Sequence, residues 1–145
     1  SSDLKKMKEL ASYYTPHGFK VGYHNHNQEF KTFGGKYALD ILFEQVPELI
    51  CEIDVYWVKF AGVDPVEYLK KYNGRIPLIH LKDMEKNNNK KSTEIGSGSL
   101  DMPAIIKTAG ECGTEWLIVE QEEYSKYTPM ESAKISYDYI KSELS

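Results

Sequence analysis

Four short segments of this sequence each carry chemically capable side chains two positions apart: His24 and His26, Glu52 and Asp54, His80 and Lys82, Glu120 and Glu122. On a β-strand alternate side chains share a face, so each pair points the same way. Residues of the opposite parity are mostly apolar: Val21 and Tyr23, Cys51, Ile53 and Val55, Ile79 and Leu81, Leu117 and Val119. Each segment therefore turns polar on one face near its C-terminal end and keeps the other face for packing against helices. His, Asp, His and Glu are hard-to-borderline ligands, suited to Mn²⁺, Mg²⁺, Co²⁺ or Zn²⁺. Converging from four adjacent strands, they could hold one divalent ion with positions left open for substrate oxygens. One such strand is equally well read as carrying a satisfied core histidine or carboxylate. Four in the same register point to a site, provided the strands are neighbours.

The elements that must position these groups alternate along the chain. Helical spacing from Leu4 to about Tyr14 follows a candidate cap at Asp3 and ends at Pro16 and Gly18. The spacing predicts strands at Phe19–His26, Leu49–Tyr56, Ile76–Lys82 and Trp116–Glu122. Helices are expected near Tyr37–Gln45, from Asp64-Pro65 to about Lys71, from Asp101-Met102-Pro103 to about Ala109, and over roughly Pro129–Leu144. Glu85–Lys91, with three consecutive asparagines, is expected as a solvated loop. The order α-β-α-β-α-β-α-β-α implies parallel strands joined by crossovers, with helices covering the sheet. The fold class expected is α/β with about four parallel strands and five helices, which make either a half barrel of TIM type or a small open sheet. A whole eight-stranded barrel takes roughly 250 residues, and this sequence has 145, read as a single domain over residues 1–145.

A net charge of −4 without a basic run argues against nucleic acid as the main partner, since neutralising phosphates needs clustered Lys and Arg. No apolar run approaches the roughly 20 residues of a membrane span. Cys51 and Cys112 are far apart and in no metal-binding spacing, so they are read as buried thiols. The chain begins Ser-Ser-Asp without an initiator Met. A missing signal peptide therefore says little about compartment, and a cytoplasmic location is the working expectation.

Several runs resemble one family. They are Gly22-Tyr23-His24-Asn25-His26 with Glu29-Phe30, Asp54-Val55-Tyr56-Trp57, Ala61-Gly62-Val63-Asp64-Pro65, Gly74-Arg75, His80-Leu81-Lys82-Asp83-Met84, Gly96-Ser97-Gly98 with Leu100-Asp101, and Val119-Glu120-Gln121. In order and over nearly the whole chain, they are similar to the sugar phosphate isomerase/epimerase family of the xylose-isomerase-like TIM-barrel superfamily. The resemblance implies the C-terminal half of a barrel, strands five to eight, with four metal ligands. Carried over, these are His24, Asp54, His80 and Glu120. Many relatives have Glu at the first position, where its carboxylate shares acid–base work with the last ligand, so His24 departs from that two-carboxylate scheme. The His-x-His form is similar to an inosose-dehydratase-like branch, which keeps a lyase reading open.

The activity expected is isomerisation or epimerisation of a sugar or sugar phosphate through an enediolate, with a keto-sugar or inosose-type dehydratase as the alternative. His26 is the first candidate base, Glu29 and Glu122 are alternatives, and Glu120 is both ligand and acid–base group. Lys82 is expected either to stabilise an oxyanion or to be a buried lysine paired with Glu52 or another barrel carboxylate. Trp57 and Tyr56 are expected either to wall the sugar or to pack. Gly96–Ser99 is read as a turn before a cap at Asp101, since it lacks the signature of a phosphate-binding loop. A half barrel leaves two sheet edges open. It is expected either as part of a longer protein or as a homodimer pairing through those edges, with a non-catalytic fragment as the third reading.

Overall fold

In the computed structural model, which describes residues 2–87 and 90–145, helices and strands alternate along the chain. Helix α1 (Ser2–Tyr14) ends in a 3-10 turn at Thr15–His17 and leads to strand β1 (Gly22–His24). A second 3-10 turn, Gln28–Phe30, precedes a small ribbon of β2 (Thr32–Phe33) and β3 (Lys36–Tyr37), then α2 (Ala38–Gln45). Strand β4 (Ile50–Asp54) passes directly into α3 (Val55–Phe60), and α4 (Pro65–Lys71) follows. After β5 (Leu78–Leu81) comes a second ribbon, β6 (Asp83–Met84) with β7 (Ser92–Thr93). Helix α5 (Met102–Glu111), strand β8 (Trp116–Val119) and helix α6 (Pro129–Glu143) complete the order.

Strands β1, β4, β5 and β8 form one sheet in that order, and every pair is parallel. The register sets His24 beside Glu52, Asp54 beside His80, and His80 beside Ile118. Pairing continues one residue past β8, because the Glu120 N–H donates to Leu81 O at 3.0 Å. Ladder neighbours project to the same side of a sheet, so the four polar segments share a face. The fold is an α/β partial barrel, as the alternation of elements predicts.

Side chains of the opposite parity build the core. Cys51, Ile53, Ile79 and Leu81 are fully buried with Leu39, Phe43, Val58, Leu69 and Ile105 from the helices. Each such side chain contributes about 1.5–3 kcal/mol on leaving water. Both cysteines are free and buried, and burial pushes the Cys51 thiol up to about 12. The other face of the sheet is open lower down: Trp116 is 68% and Ile118 38% exposed. Strands β1 and β8 each pair on one side only. No helix among the described residues is long and apolar enough to cross a membrane.

Two boundaries differ from expectation for identifiable reasons. The second strand was expected to reach Tyr56, but Asp54 Oδ1 accepts from Tyr56 N at 2.9 Å and Trp57 N at 3.2 Å, capping a helix instead. This makes α3 a sixth helix beyond the five expected. The first strand stops at His24 because Asn25 replaces the ladder with its side chain: its Oδ1 accepts from Asp54 N at 3.0 Å. The flanks of the asparagine loop pair as the β6–β7 ribbon; Asn88 and Asn89 of that loop lie outside the described residues.

One buried network fastens α2 to α4. Asp40 accepts from Tyr68 OH at 3.0 Å, Tyr72 OH at 2.5 Å and Lys71 Nζ at 2.6 Å. Burial alone would raise its carboxyl, but these bonds outweigh burial and hold it below the ordinary range. A carboxyl depressed in the folded state stabilises above its unfolded value, and the contribution fades as pH falls through the lower folded value. Asp40→Leu is expected to cost about 1–3 kcal/mol at pH 7, by orphaning buried hydroxyls. It should also flatten the acid-side loss of stability below about pH 4, in urea unfolding followed from pH 7 to pH 3. An unchanged acid limb would discount the network.

Candidate metal centre

Asp54 is the fixed point of the site. It is fully buried, its Oδ1 is committed to the α3 N-terminus, and its backbone is clamped by Asn25. Only Oδ2 is left to face the polar side of the sheet, where it lies 3.2 Å from His24 Nε2. The hydrogen bond to Asp54 outweighs burial and holds His24 above the usual imidazole range. One strand further, His80 stacks over His24 with ring centroids 4.3 Å apart. Its Nδ1 lies 2.7 Å from Glu120 Oε2 and its Nε2 lies 2.8 Å from Glu52 Oε1. Burial alone would raise the Glu120 carboxyl. The hydrogen bond with His80 and the charges of Lys82, His80 and His24 outweigh that and hold it below the ordinary range.

His24, Asp54, His80 and Glu120 each offer one ligand atom, and these atoms all lie within 4.8 Å of one another. For metal–ligand bonds of about 2.1 Å, ligand atoms stand about 3–4.2 Å apart. A contraction of roughly half an ångström would therefore seat an ion. Two imidazoles and two carboxylates suit Zn²⁺, Mn²⁺ or Co²⁺. The donor set fits a divalent cation, and these four residues would hold it.

The remaining candidates occupy distinct places. His26 is exposed at the rim, with its ring 5.1 Å from that of His24 and 5.2 Å from that of Trp57. Glu29 is not brought to the centre. Its oxygens accept from Tyr23 OH at 3.1 Å and His26 N at 2.9 Å, and Tyr23 belongs to the opposite face of β1. Lys82 is fully buried, 2.6 Å from Glu122 Oε2, with its ammonium 4.8 Å from the centre of the Tyr56 ring and 5.0 Å from that of Trp57. Of the barrel carboxylates expected as its partner, Glu122 is the one that reaches it, while Glu52 is engaged with His80. The Lys82–Glu122 contact is an ion pair without aligned hydrogen-bond geometry, and the Lys82 ammonium and the buried Trp57 Nε1–H both lack a hydrogen-bond partner among the described residues. Ser92 holds the loop after β8 in place: its hydroxyl oxygen accepts from Glu122 N and Glu123 N, each at 3.3 Å.

The glycine-rich segment is a turn, as its sequence predicts, and not an anion cradle. Its N–H groups are already spent: Gly96 N and Gly98 N donate to Asp83 at 3.0 Å and 2.9 Å, Ser97 N to Glu94 O at 3.0 Å and Ser99 N to Met84 O at 2.7 Å, and Leu100 N beyond them also donates to Asp83 at 3.1 Å. A Cβ at position 98 would collide with the Asp83 carboxylate and the Met84 carbonyl, which is why glycine stands there. Asp101 caps α5 through Ala104 N at 3.1 Å. Sequence reasoning missed Asn25 and the roles of Asp83 and Ser92, whose importance arises only from distant backbone. Glu52 had a visible signal, its parity with Asp54, but its contact with His80 was not foreseen.

Ligand-type side chains gathered at the C-terminal ends of parallel strands, with helices on the other face, are the arrangement of an α/β-barrel mouth. A family model described as a xylose isomerase-like TIM barrel matches residues 4–143, and the chain belongs to that family. An inosose dehydratase of Clostridium botulinum (strain Alaska E43 / Type E3) is 31% identical over 166 residues, covering 100% of this chain and 54% of that protein. A second inosose dehydratase, of Clostridium botulinum (strain Eklund 17B / Type B), is 36% identical over 104 residues, 59% of this chain and 35% of that protein. Among solved structures, a sugar phosphate isomerase/epimerase from Parabacteroides distasonis ATCC 8503 superposes with a TM-score of 0.79 at 29% identity. It covers 96% of this chain and 52% of that one. The chain spans about half or less of the length of these relatives.

Proposed function

We propose that this chain carries the cation-binding and proton-transfer half of an isomerase or epimerase acting on a sugar or sugar phosphate, and that it corresponds to strands five to eight of an eight-stranded barrel. The observation that carries this reading is the convergence of His24, Asp54, His80 and Glu120, from four adjacent strands, to within 4.8 Å. A bound divalent ion supplies Lewis acidity toward a sugar carbonyl and its neighbouring hydroxyl, which acidifies the adjacent C–H.

The chain's own residues would do the rest. His26, at the rim beside His24 and Trp57, takes the proton, a task imidazole suits near neutral pH. Glu120 is the second proton-transfer group. Glu29 drops out of this role because both its oxygens are committed elsewhere. Lys82 holds positive charge beside the oxygen on which negative charge develops, at a buried position where a charge acts strongly. The unpartnered Trp57 Nε1–H donates to a substrate hydroxyl, and its ring covers a sugar C–H face.

Lys82→Met separates this role from packing. The partner Glu122 is more than half exposed, so it regains water, and stability should stay within about 1 kcal/mol of the parent. Proton exchange should fall by roughly 100-fold. A variant that exchanges normally would remove Lys82 from the chemistry.

The direct test loads the protein with Mn²⁺ and offers keto sugars in D₂O. Deuterium entering beside the carbonyl without loss of water supports isomerisation or epimerisation. Loss of a hydroxyl supports the second reading, a keto-sugar or inosose-type dehydratase, which the two inosose dehydratase relatives and the histidine at the first ligand position favour. A protein that binds no metal and exchanges no proton would leave the third reading, a non-catalytic half barrel. There the open edges of β1 and β8 would pair with a second copy, visible as a dimer mass in solution.

A further inference from the structure

Among the donors at the mouth, Glu52 has no part in the four-residue centre, yet its carboxylate is within 2.8 Å of a proposed ligand. Glu52 is partly buried, with its side chain 24% exposed, and projects from the middle of β4, two residues before Asp54 and on the same face. His80 lies between two carboxylates: Nε2 faces Glu52 Oε1, and Nδ1 faces Glu120 Oε2. Ionised carboxylates only accept hydrogen bonds, and a neutral imidazole has a single N–H to give. One of the two contacts therefore sets a nitrogen lone pair against an oxygen lone pair. A positive charge on that side relieves the repulsion: either a proton, which makes the ring an imidazolium donating to both carboxylates, or a bound metal ion, which takes the nitrogen lone pair.

The side on which the cation belongs follows from the geometry. Glu120 is one of the four residues whose donor atoms converge, and Glu52 is not. The 2.7 Å between Nδ1 and Glu120 Oε2 is slightly less than the roughly 3 Å separating neighbouring ligands on one ion. We propose that Glu52 is a positioning residue that holds His80 as the Nε2–H tautomer, leaving its Nδ1 lone pair aimed at the cation shared with Glu120, Asp54 and His24. The inference rests on the cation-binding reading above and deepens it by fixing which nitrogen binds. A ligand imidazole that gives its other N–H to a carboxylate is held in orientation and made more basic, and losing such a partner costs roughly 10–100-fold in metal affinity. Strand geometry explains the efficiency of the arrangement: Glu52 and Asp54 share a face of β4, so one strand supplies a ligand and also the group that orients the next strand's ligand.

Two measurements test the proposal. The first needs no substitution and no metal: nitrogen NMR of ¹⁵N-histidine-labelled protein at mildly alkaline pH reads the His80 tautomer directly. The Nε2–H form is expected, and an Nδ1–H form would overturn the assignment. The second is calorimetric titration of Co²⁺ or Mn²⁺ into the parent, Glu52→Gln and Glu52→Ala proteins. Glutamine keeps an acceptor oxygen for Nε2–H, so Glu52→Gln should bind within about threefold of the parent, while Glu52→Ala should lose roughly 10–100-fold. Equal affinity in all three proteins would overturn the role. Equal, large losses in both variants would make Glu52 a direct ligand and overturn it as well. A parent protein that binds no cation would instead sink the metal reading, and the tautomer measurement would still decide how Glu52 holds His80.

Discussion

Asp54→Asn should abolish divalent-cation binding while leaving the fold in place. Asparagine is as good a helix N-cap as aspartate, so its side-chain oxygen can take over the bonds that Asp54 Oδ1 accepts from Tyr56 N and Trp57 N. What the substitution removes is the negative charge and the second oxygen, the atom that faces His24 at 3.2 Å. The affinity loss should exceed the roughly 10–100-fold seen when only a supporting group around a metal is lost. Thermal stability of the metal-free protein should shift by no more than a few degrees. Asp54→Ala is the contrasting case. It also removes the cap, so a further cost of about 1 kcal/mol is expected in urea unfolding. If Asp54→Asn binds cation as tightly as the parent, Asp54 is a cap and nothing more.

His80→Ala should be as damaging to cation binding, with an electrostatic signature of its own. The imidazole stands between Glu52 and Glu120, with one ring nitrogen 2.8 Å from the first and the other 2.7 Å from the second. Its bond to Glu120 helps hold that carboxyl below its ordinary range, against the opposing effect of burial. Without His80 the Glu120 carboxyl should move upward, because burial is then opposed only by the charges of Lys82 and His24. The sign for stability follows. In the parent, the depressed Glu120 carboxyl stabilises the fold above its unfolded value, and that contribution fades as pH falls through the lower folded value. In His80→Ala the contribution is reduced to what Lys82 and His24 provide. Side-chain ¹³C titration of Glu120 in both metal-free proteins gives the comparison, and identical titration curves would show that the His80–Glu120 contact does not operate in solution.

Much of this site was legible because strand parity is a backbone property. Once β1, β4, β5 and β8 are parallel neighbours, the pleat alone puts His24, Asp54, His80 and Glu120 on one side and Cys51, Ile53, Ile79 and Leu81 on the other. The readings that failed lie where parity stops applying. Val55, Tyr56 and Trp57 have high strand propensity, yet they form a helix because the Asp54 carboxylate turns back to cap them. Glu29 sits in a 3-10 turn beyond the strand, where strand parity says nothing of its direction, and it faces Tyr23. Asn25 reads as an outward residue of its strand, but its amide replaces the missing ladder to Asp54. Charge alone leaves the partner of Lys82 open between Glu52 and another barrel carboxylate; the fold brings it Glu122 and gives Glu52 to His80. Pairings among several charges on one face depend on side-chain reach and loop position, which a linear pattern does not contain.

The most direct test is a crystal structure of the protein grown with Mn²⁺ or Zn²⁺, using anomalous scattering to locate the ion. The account predicts one ion bonded to His24 and His80 through ring nitrogens and to Asp54 and Glu120 through carboxylate oxygens, with Glu52 hydrogen-bonded behind His80. An ion found elsewhere, or a His24–Asp54–His80–Glu120 cluster that stays metal-free in millimolar metal, would contradict it.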